Sequence, residues 1–452
     1  MNAKILKLSD LWADQVQAID KCLDFALGDS AHKLMLLEGP AGTGKTSSGR
    51  VLLEELPEEK RKRSVVCAPT NKAVKVARQL SGGLVRTTTI YKLLRLTPQA
   101  NGEVKELRQA GSVEDILEEI DLVYLDEGSM VGQKEGPADP RGLRYHIEKA
   151  MVEHGVKFIA AGDRYQLPPV GEPISWIFGE AERTGQVAKL TDVKRHDNQI
   201  LNLATHLRKV MDGEQRLRIA DDFDDAGGVE VWSRRRQFEE TISDLWRASE
   251  GQKDAANRVL AWRNDKVADY NDLIRETVYG RQKAKEALFQ VGERIVVCNP
   301  VKSLQEGAED EILMHTDEEG IVVSMDVRRH PIFNEIECYA LVVDREDAFG
   351  RCGVFTPTPD GRYTANRLLK GLYEKAQKDR IFWGAYWNLK EHLNDVRPCH
   401  ALTVHRSQGS TFKNVFVDID DVLVNRNYEE ALRCLYVAAT RPSAKLNLKY
   451  TG

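Results

Sequence analysis

The residues Gly39-Pro40-Ala41-Gly42-Thr43-Gly44-Lys45-Thr46 have the spacing GxxxxGK[ST], between an apolar run (KLMLLEG, 33–39) and a helix-forming stretch, Lys45–Leu56. Glycines there let backbone N–H groups turn toward phosphate oxygens, and the positive end of the following helix adds attraction. In this frame Gly39, Ala41, Gly42, Thr43 and Gly44 cradle a nucleoside triphosphate such as ATP. Lys45 neutralises its β- and γ-phosphates, and Thr46 ligates Mg²⁺. The run LVYL ends in Asp126-Glu127, where Asp126 would hold Mg²⁺ and Glu127 would polarise the attacking water. Two adjacent acids are common on surfaces; paired with the loop they become a hydrolytic couple. Gln166, in GDRYQLPPV (162–170), can bond a γ-phosphate or its water. Taken alone, that segment reads more plainly as a turn stiffened by Pro168-Pro169.

These residues need a rigid frame. KLMLLEG, SVVCAPT (64–70), DLVYLDE (121–127) and VKFIAAGD (156–163) are continuous apolar runs separated by helical patterns. A parallel sheet covered on both faces requires this arrangement. A second α/β region begins near His196, with strands at VLAWR (259–263) and NVFVDID (414–420) and a helix at Tyr428–Thr440. Between them ERIVVCN, EEGIVVSMDV, EIECYALVVD and RCGVFTP alternate in the manner of β-hairpins, and 364–394 reads as helical. The expected fold is α/β: two parallel-sheet domains, one at 1–91 with 121–195 and the other at 196–277 with 396–452. The first is interrupted by an insertion at 92–120, with a hairpin about Gln99–Gly102. The second is interrupted by a small β-barrel and helical arm at 278–395. Phe382, Trp383, Tyr386 and Trp387 share roughly one helical face, for which a packed apolar stripe is the default reading.

With 452 residues, two to four domains are expected. Seven scattered cysteines without a CxxC pair read as reduced thiols of an intracellular, cytoplasmic protein. No apolar run has the length of a membrane span, so no membrane partner is expected. The net charge of −5 leaves a nucleic-acid partner open, because a motor gripping one strand needs only a local basic lining.

GPAGTGKT, APTNKAVKV, DEGSM, GDRYQLPPV, LTDVKR (190–195), TVHRSQGSTF (403–412) and LYVAATRP (435–442) occur in the order of the superfamily 1 helicase motifs. Their wording resembles the RecD/Dda-like branch. The resemblance implies two RecA-like P-loop domains with ATP between them, an SH3-like character for the inserted barrel, and a strand-separating pin in the 92–120 insertion. It implies 5′-to-3′ movement on single-stranded DNA, unwinding at duplex junctions, and a further single-strand-binding or replisome partner. Gln15 resembles the Gln that reads the adenine edge. Arg195 and Arg441 resemble arginine fingers, whose fixed fork suits the charge developing on a γ-phosphate in transit. Gly409 resembles a close backbone approach to the nucleotide. For the track, Pro69, Thr70, Asn71 and Lys72 form a strand-to-helix phosphate seat. Thr403 and His405 match it in the second domain, and Thr89 and Tyr91 resemble a further DNA-contact block. An RNA helicase of the same superfamily, or a P-loop switch remodelling a protein partner, are the alternatives.

Overall fold

The computed structural model describes residues 11–101, 103–133, 142–191, 199–224, 227–248, 255–305, 311–345 and 350–452. Two compact units divide the chain, Met1–Gln215 and Arg216–Gly452.

In the first unit the strands are β1 (Leu34–Glu38), β2 (Ser64–Ala68), β3 (Arg86–Thr89), β4 (Leu96–Asn101), β5 (Val104–Gln109), β6 (Leu122–Leu125), β7 (Lys157–Gly162) and β8 (Val187–Lys189). Six of them form a sheet in the order β3-β2-β6-β7-β1-β8, with every neighbouring pair parallel. The two-residue period of a strand explains why these segments are apolar throughout. Leu34, Leu36, Val65, Cys67, Val123, Leu125, Phe158 and Ala160 enter one core. Their alternates Met35, Leu37, Val66, Leu122, Tyr124, Ile159 and Ala161 enter another on the opposite face, under the helices Ala13–Leu27 and Lys45–Glu55. All the loops that follow β1, β2, β3, β6 and β7 therefore open at one edge of the sheet, where ligands bind in folds of this type.

β4 and β5 form an antiparallel hairpin. Its base is anchored by Leu96 and Leu107 on the core and by the Ala110 N–H on the Arg95 carbonyl at 2.7 Å. The first unit runs past residue 195, the limit expected from the sequence, and takes in the helix Gln199–Met211. Side chains hold that helix there: Tyr165 Oη donates to Asp212 at 2.9 Å, and the Arg208 guanidinium lies 6.0 Å from the Tyr165 ring centre.

The second unit contains β9 (Asp222–Asp224), β10 (Gly227–Trp232), β11 (Asn257–Ala261), β12 (Arg294–Val297), β13 (Val301–Lys302), β14 (Ile312–Met314), β15 (Glu319–Arg329), β16 (Glu337–Arg345), β17 (Arg351–Pro357), β18 (Val396–Pro398), β19 (Ala401–Thr403), β20 (Phe412–Asp418) and β21 (Pro442–Lys449). Its main sheet has the order β19-β11-β20-β21-β10-β9, parallel except for the edge strand β9. Phe238, Ile242, Trp246, Tyr270 and Ile274 from two helices pack on Val259 and Phe416. The insertion is an antiparallel sheet, β17-β16-β15-β12-β18, with its own core, and β13-β14 is a separate ribbon. An arm of two helices, Pro359–Ala376 and Phe382–His392, follows β17. Of the aromatic stripe only Trp383 is buried; it meets Tyr373 edge-on at 5.7 Å, while Lys390 lies 4.7 Å from the Trp387 ring centre.

Buried charge fastens the insertion to the main sheet. Arg258 on β11 pairs with Glu319 on β15, which also accepts from Arg294 at 3.3 Å. Arg275 donates to Glu293 at 2.7 Å and caps the Ala284 and Ala287 carbonyls. Trp246 Nε1 donates to His400 Nδ1 at 3.3 Å, which leaves the imidazole proton on Nε2, 3.8 Å from Glu293. The seven cysteines are free thiols, and among the described residues no helix is long and apolar enough to cross a membrane.

Candidate nucleotide site and nucleic-acid interface

The phosphate loop joins β1 to the helix Lys45–Glu55, and Gly44 caps that helix at φ 83°. A side chain at 44 would be strained by that angle, and its Cβ would stand 2.7 Å from Gln15 Nε2. Gln15 is buried and fully engaged with the loop's surroundings. Its Nε2 donates to the Thr43 carbonyl at 2.9 Å, and its Oε1 accepts the Trp12 N–H at 3.1 Å. Thr43 is itself buried and donates to the Pro40 carbonyl at 2.9 Å. Lys45 Nζ lies on the Gly39 and Pro40 carbonyls at 2.6 and 3.1 Å, so its ammonium sits inside the loop. The Gly39 N–H donates to Gly162 O at 3.1 Å, which ties the loop to the end of β7.

Asp126 and Glu127 follow β6. Burial raises the Asp126 carboxyl above the usual range, while the Glu127 N–H, the Lys45 ammonium and the Thr46 hydroxyl pull it back. A buried carboxylate at a strand end, beside a threonine hydroxyl and a lysine from the first turn of a helix, fits a hard divalent cation with oxygen ligands. Glu127 adopts φ 53°, the left-handed region, where a non-glycine residue is strained by about 1–3 kcal/mol. Tyr124, also on β6, reaches back so that its hydroxyl donates to the Lys45 carbonyl at 3.1 Å.

Ser129 links this acidic turn to the GDRYQ segment. Its hydroxyl accepts the Asp163 N–H at 2.8 Å and donates to the Asp163 carbonyl at 3.1 Å, and the same carbonyl accepts the Gln166 N–H at 3.1 Å. Gln166 is buried. Arg164 pairs with Glu38, the last residue of β1, and with Glu182 at 2.5 Å. Tyr124, Ser129 and Arg164 escaped the sequence reading. Ser129 and Arg164 lie inside recognised motif words, which was the available signal.

Three of the residues expected at a nucleic-acid track share one device. Thr70, Thr89 and Thr403 are each the N-cap of a helix, accepting the N–H of Ala73, Lys92 and Arg406 at 3.2, 3.1 and 3.3 Å. A capping hydroxyl that accepts from backbone keeps its own proton to donate outward, as a phosphate oxygen requires. Pro69, Thr70, Asn71 and Lys72 are partly exposed at the end of β2, whereas Thr89 is buried and Tyr91 packs against the core. His405 is exposed, its Nε2 3.5 Å from Glu430.

In the second unit Gly409 has φ 74°. Arg441 is buried and turned onto its own unit. Its Nε donates to the Val437 carbonyl at 2.9 Å, and its terminal nitrogens to the Ser410 carbonyl at 3.0 Å and Thr440 Oγ1 at 2.8 Å. Arg195 lies outside the described residues.

Two family models match the chain: an AAA domain over residues 10–233 and a UvrD-like helicase C-terminal domain over residues 398–448. The class is therefore a P-loop ATPase with a helicase C-terminal domain. The chain is 25% identical to the ATP-dependent DNA helicase dda of Enterobacteria phage T4, over 92% of this chain and 94% of that protein. It is 24% identical to an uncharacterized protein of Acanthamoeba polyphaga mimivirus, over 94% and 97%. Among solved structures, the Pif1 helicase from Candida albicans covers 97% of this chain and 94% of its own at 17% identity, with a TM-score of 0.45. The two domain matches and the nearly full-length similarity to dda support an ATP-hydrolysing DNA helicase of superfamily 1.

Proposed function

We propose that the protein is an ATP-dependent DNA helicase that moves 5′ to 3′ along a single strand and opens duplex junctions. The observation that carries this reading is that the hydrolytic residues and the phosphate seat occupy neighbouring strand ends of one sheet. Asp126 and Glu127 follow β6, Thr70 follows β2, and β2 and β6 pair side by side. A change at the γ-phosphate can then move the seat for the track, which is the coupling a motor needs. Similarity to the phage T4 DNA helicase over nearly the full length supports DNA as the track, and the polarity rests on the motif resemblance.

In this reading Lys45 and the loop N–H groups bind the β- and γ-phosphates, with Gln15 bracing the loop. Glu127 orients the water and takes its proton, and Gln166 holds the water or phosphate oxygen. Thr46 and Asp126 would hold Mg²⁺, which when bound offsets charge on the β- and γ-phosphate oxygens. Arg441 serves as a finger after releasing the Val437 and Ser410 carbonyls, and Arg195 is assigned the same work. Pro69, Thr70, Asn71, Lys72, Thr89, Tyr91, Thr403 and His405 line the track, with a single-strand-binding or replisome protein as loading partner and the cytoplasm as the place of action. ATPase activity with and without oligo-dT tests the reading. Stimulation by the oligonucleotide is expected, and an ATPase indifferent to it would instead fit a switch acting on protein.

A further inference from the structure

In the second unit, the short helix Val404–Ser407 packs against the helix Tyr428–Ala439, and their contact gathers three donors of different type. They are the imidazole of His405, the carboxylate of Glu430 and the thiol of Cys434, with ligand atoms all within 4.8 Å of one another. Glu430 and Cys434 are four residues apart on one helix, so they stand on the same face a turn apart. His405 supplies the third donor from the facing helix. Cys434 is completely buried, while His405 is exposed and Glu430 half-buried, which leaves a path for an ion. A nitrogen, an oxygen and a sulfur donor on two rigid elements make a borderline-soft set, suited to Zn²⁺ and unsuited to Mg²⁺ or Ca²⁺.

We propose that His405, Glu430 and Cys434 form a binding site for a zinc-like divalent cation, with the fourth position open to water. Tetrahedral zinc separates its ligand atoms by roughly 3.3–3.6 Å, so about 1 Å of inward adjustment is needed. His405 and Glu430 can supply it by side-chain rotation, because both reach solvent. Cys434 would bind as the thiolate, so binding releases its proton. The bound ion would cross-link the two helices and occupy the imidazole nitrogen of His405. The site does not depend on the track role proposed for that residue.

The test is titration of the full chain with Co²⁺ alone as the probe, read by absorption, alongside Zn²⁺ monitored by thermal melting. One equivalent of Co²⁺ should give a near-ultraviolet sulfur-to-cobalt charge-transfer band, which Zn²⁺ displaces, and Zn²⁺ should raise the melting temperature. His405→Ala, at an exposed position that should not disturb folding, should weaken binding by more than the roughly 10–100-fold typical of outer-shell changes. Cys434→Ser should remove the band. Absence of the band in the wild-type chain overturns the proposal, as does a band that survives both substitutions, since the ion would then sit on another thiol.

Discussion

Gly49 lies in the middle of the helix Lys45–Glu55, where glycine is less favourable than alanine by about 1 kcal/mol. On helix propensity alone Gly49→Ala should therefore stabilise the chain. The structure argues for the opposite sign. A Cβ at 49 would stand 2.4 Å from both Cζ and Oη of Tyr124 and 2.8 Å from its Cε1. That ring is buried in the core under the helix, so it has little room to retreat. Overpacking of this kind costs about 1–3 kcal/mol, and losing the Tyr124 hydrogen bond to the Lys45 carbonyl adds ~0.5–1.5. Set against the propensity gain, the net destabilisation is about 1–3 kcal/mol, or roughly 2–12 °C in Tm for a unit of this size. Because the displaced bond anchors the first turn of the helix, Lys45 and Thr46 shift with it, and KM for ATP should rise. Thermal melting and ATPase kinetics read both effects. Adding Tyr124→Leu makes room, so the double variant should be better than additive by ~1 kcal/mol or more. A Gly49→Ala protein that melts higher than wild type with an unchanged KM would show that Tyr124 gives way to the added methyl without cost.

Three further outcomes are expected. Arg441→Ala should lower kcat by about 10³-fold with little change in ATP affinity. Arg441→Lys should stay slow while melting near wild type, and an unchanged kcat in either variant removes the finger role. Glu319→Gln leaves Arg258 and Arg294 buried without their carboxylate, and should cost about 3–5 kcal/mol in the second unit, seen as an early melting transition. Burial lowers the pKa of His330 and His400 below the ordinary 6.5. Their neutral forms stabilise the fold fully above that value, and the contribution is lost as pH falls from 6.5 through the depressed values. Melting temperature should therefore decline on acidification below pH 6.5, and a flat profile there would contradict the assignment.

Much of the site was legible because its chemistry is local in sequence. The phosphate loop, the Asp126-Glu127 pair and the Thr70 seat each occupy a few consecutive residues at a strand end, so spacing alone places them. Contacts that join distant segments were not legible. Gly49 and Tyr124 are an ordinary glycine and an ordinary strand tyrosine until the sheet sets one under the other. Arg258, Glu319 and Arg294 read along the chain as solvated charges, and only the register of β11, β12 and β15 turns them into a buried cluster. The helix Gln199–Met211 looked like the start of the second domain because apolar periodicity does not say which neighbour a helix joins; Tyr165 and Asp212 decide it. Capping geometry was half visible. Thr70 and Thr403 sit before helix-forming residues, but that Thr89 is buried depends on the packing of Ile90 and Leu93.

In the proposed function, hydrolysis at the phosphate loop drives strand separation. Strand displacement from 5′-tailed and 3′-tailed DNA duplexes, with ATP and Mg²⁺, by the wild-type chain and Lys45→Ala in parallel, tests it most directly. The wild-type protein should open the 5′-tailed duplex, and Lys45→Ala should open neither. ATP turnover without displacement of either duplex, or displacement that survives the loss of Lys45, would contradict it.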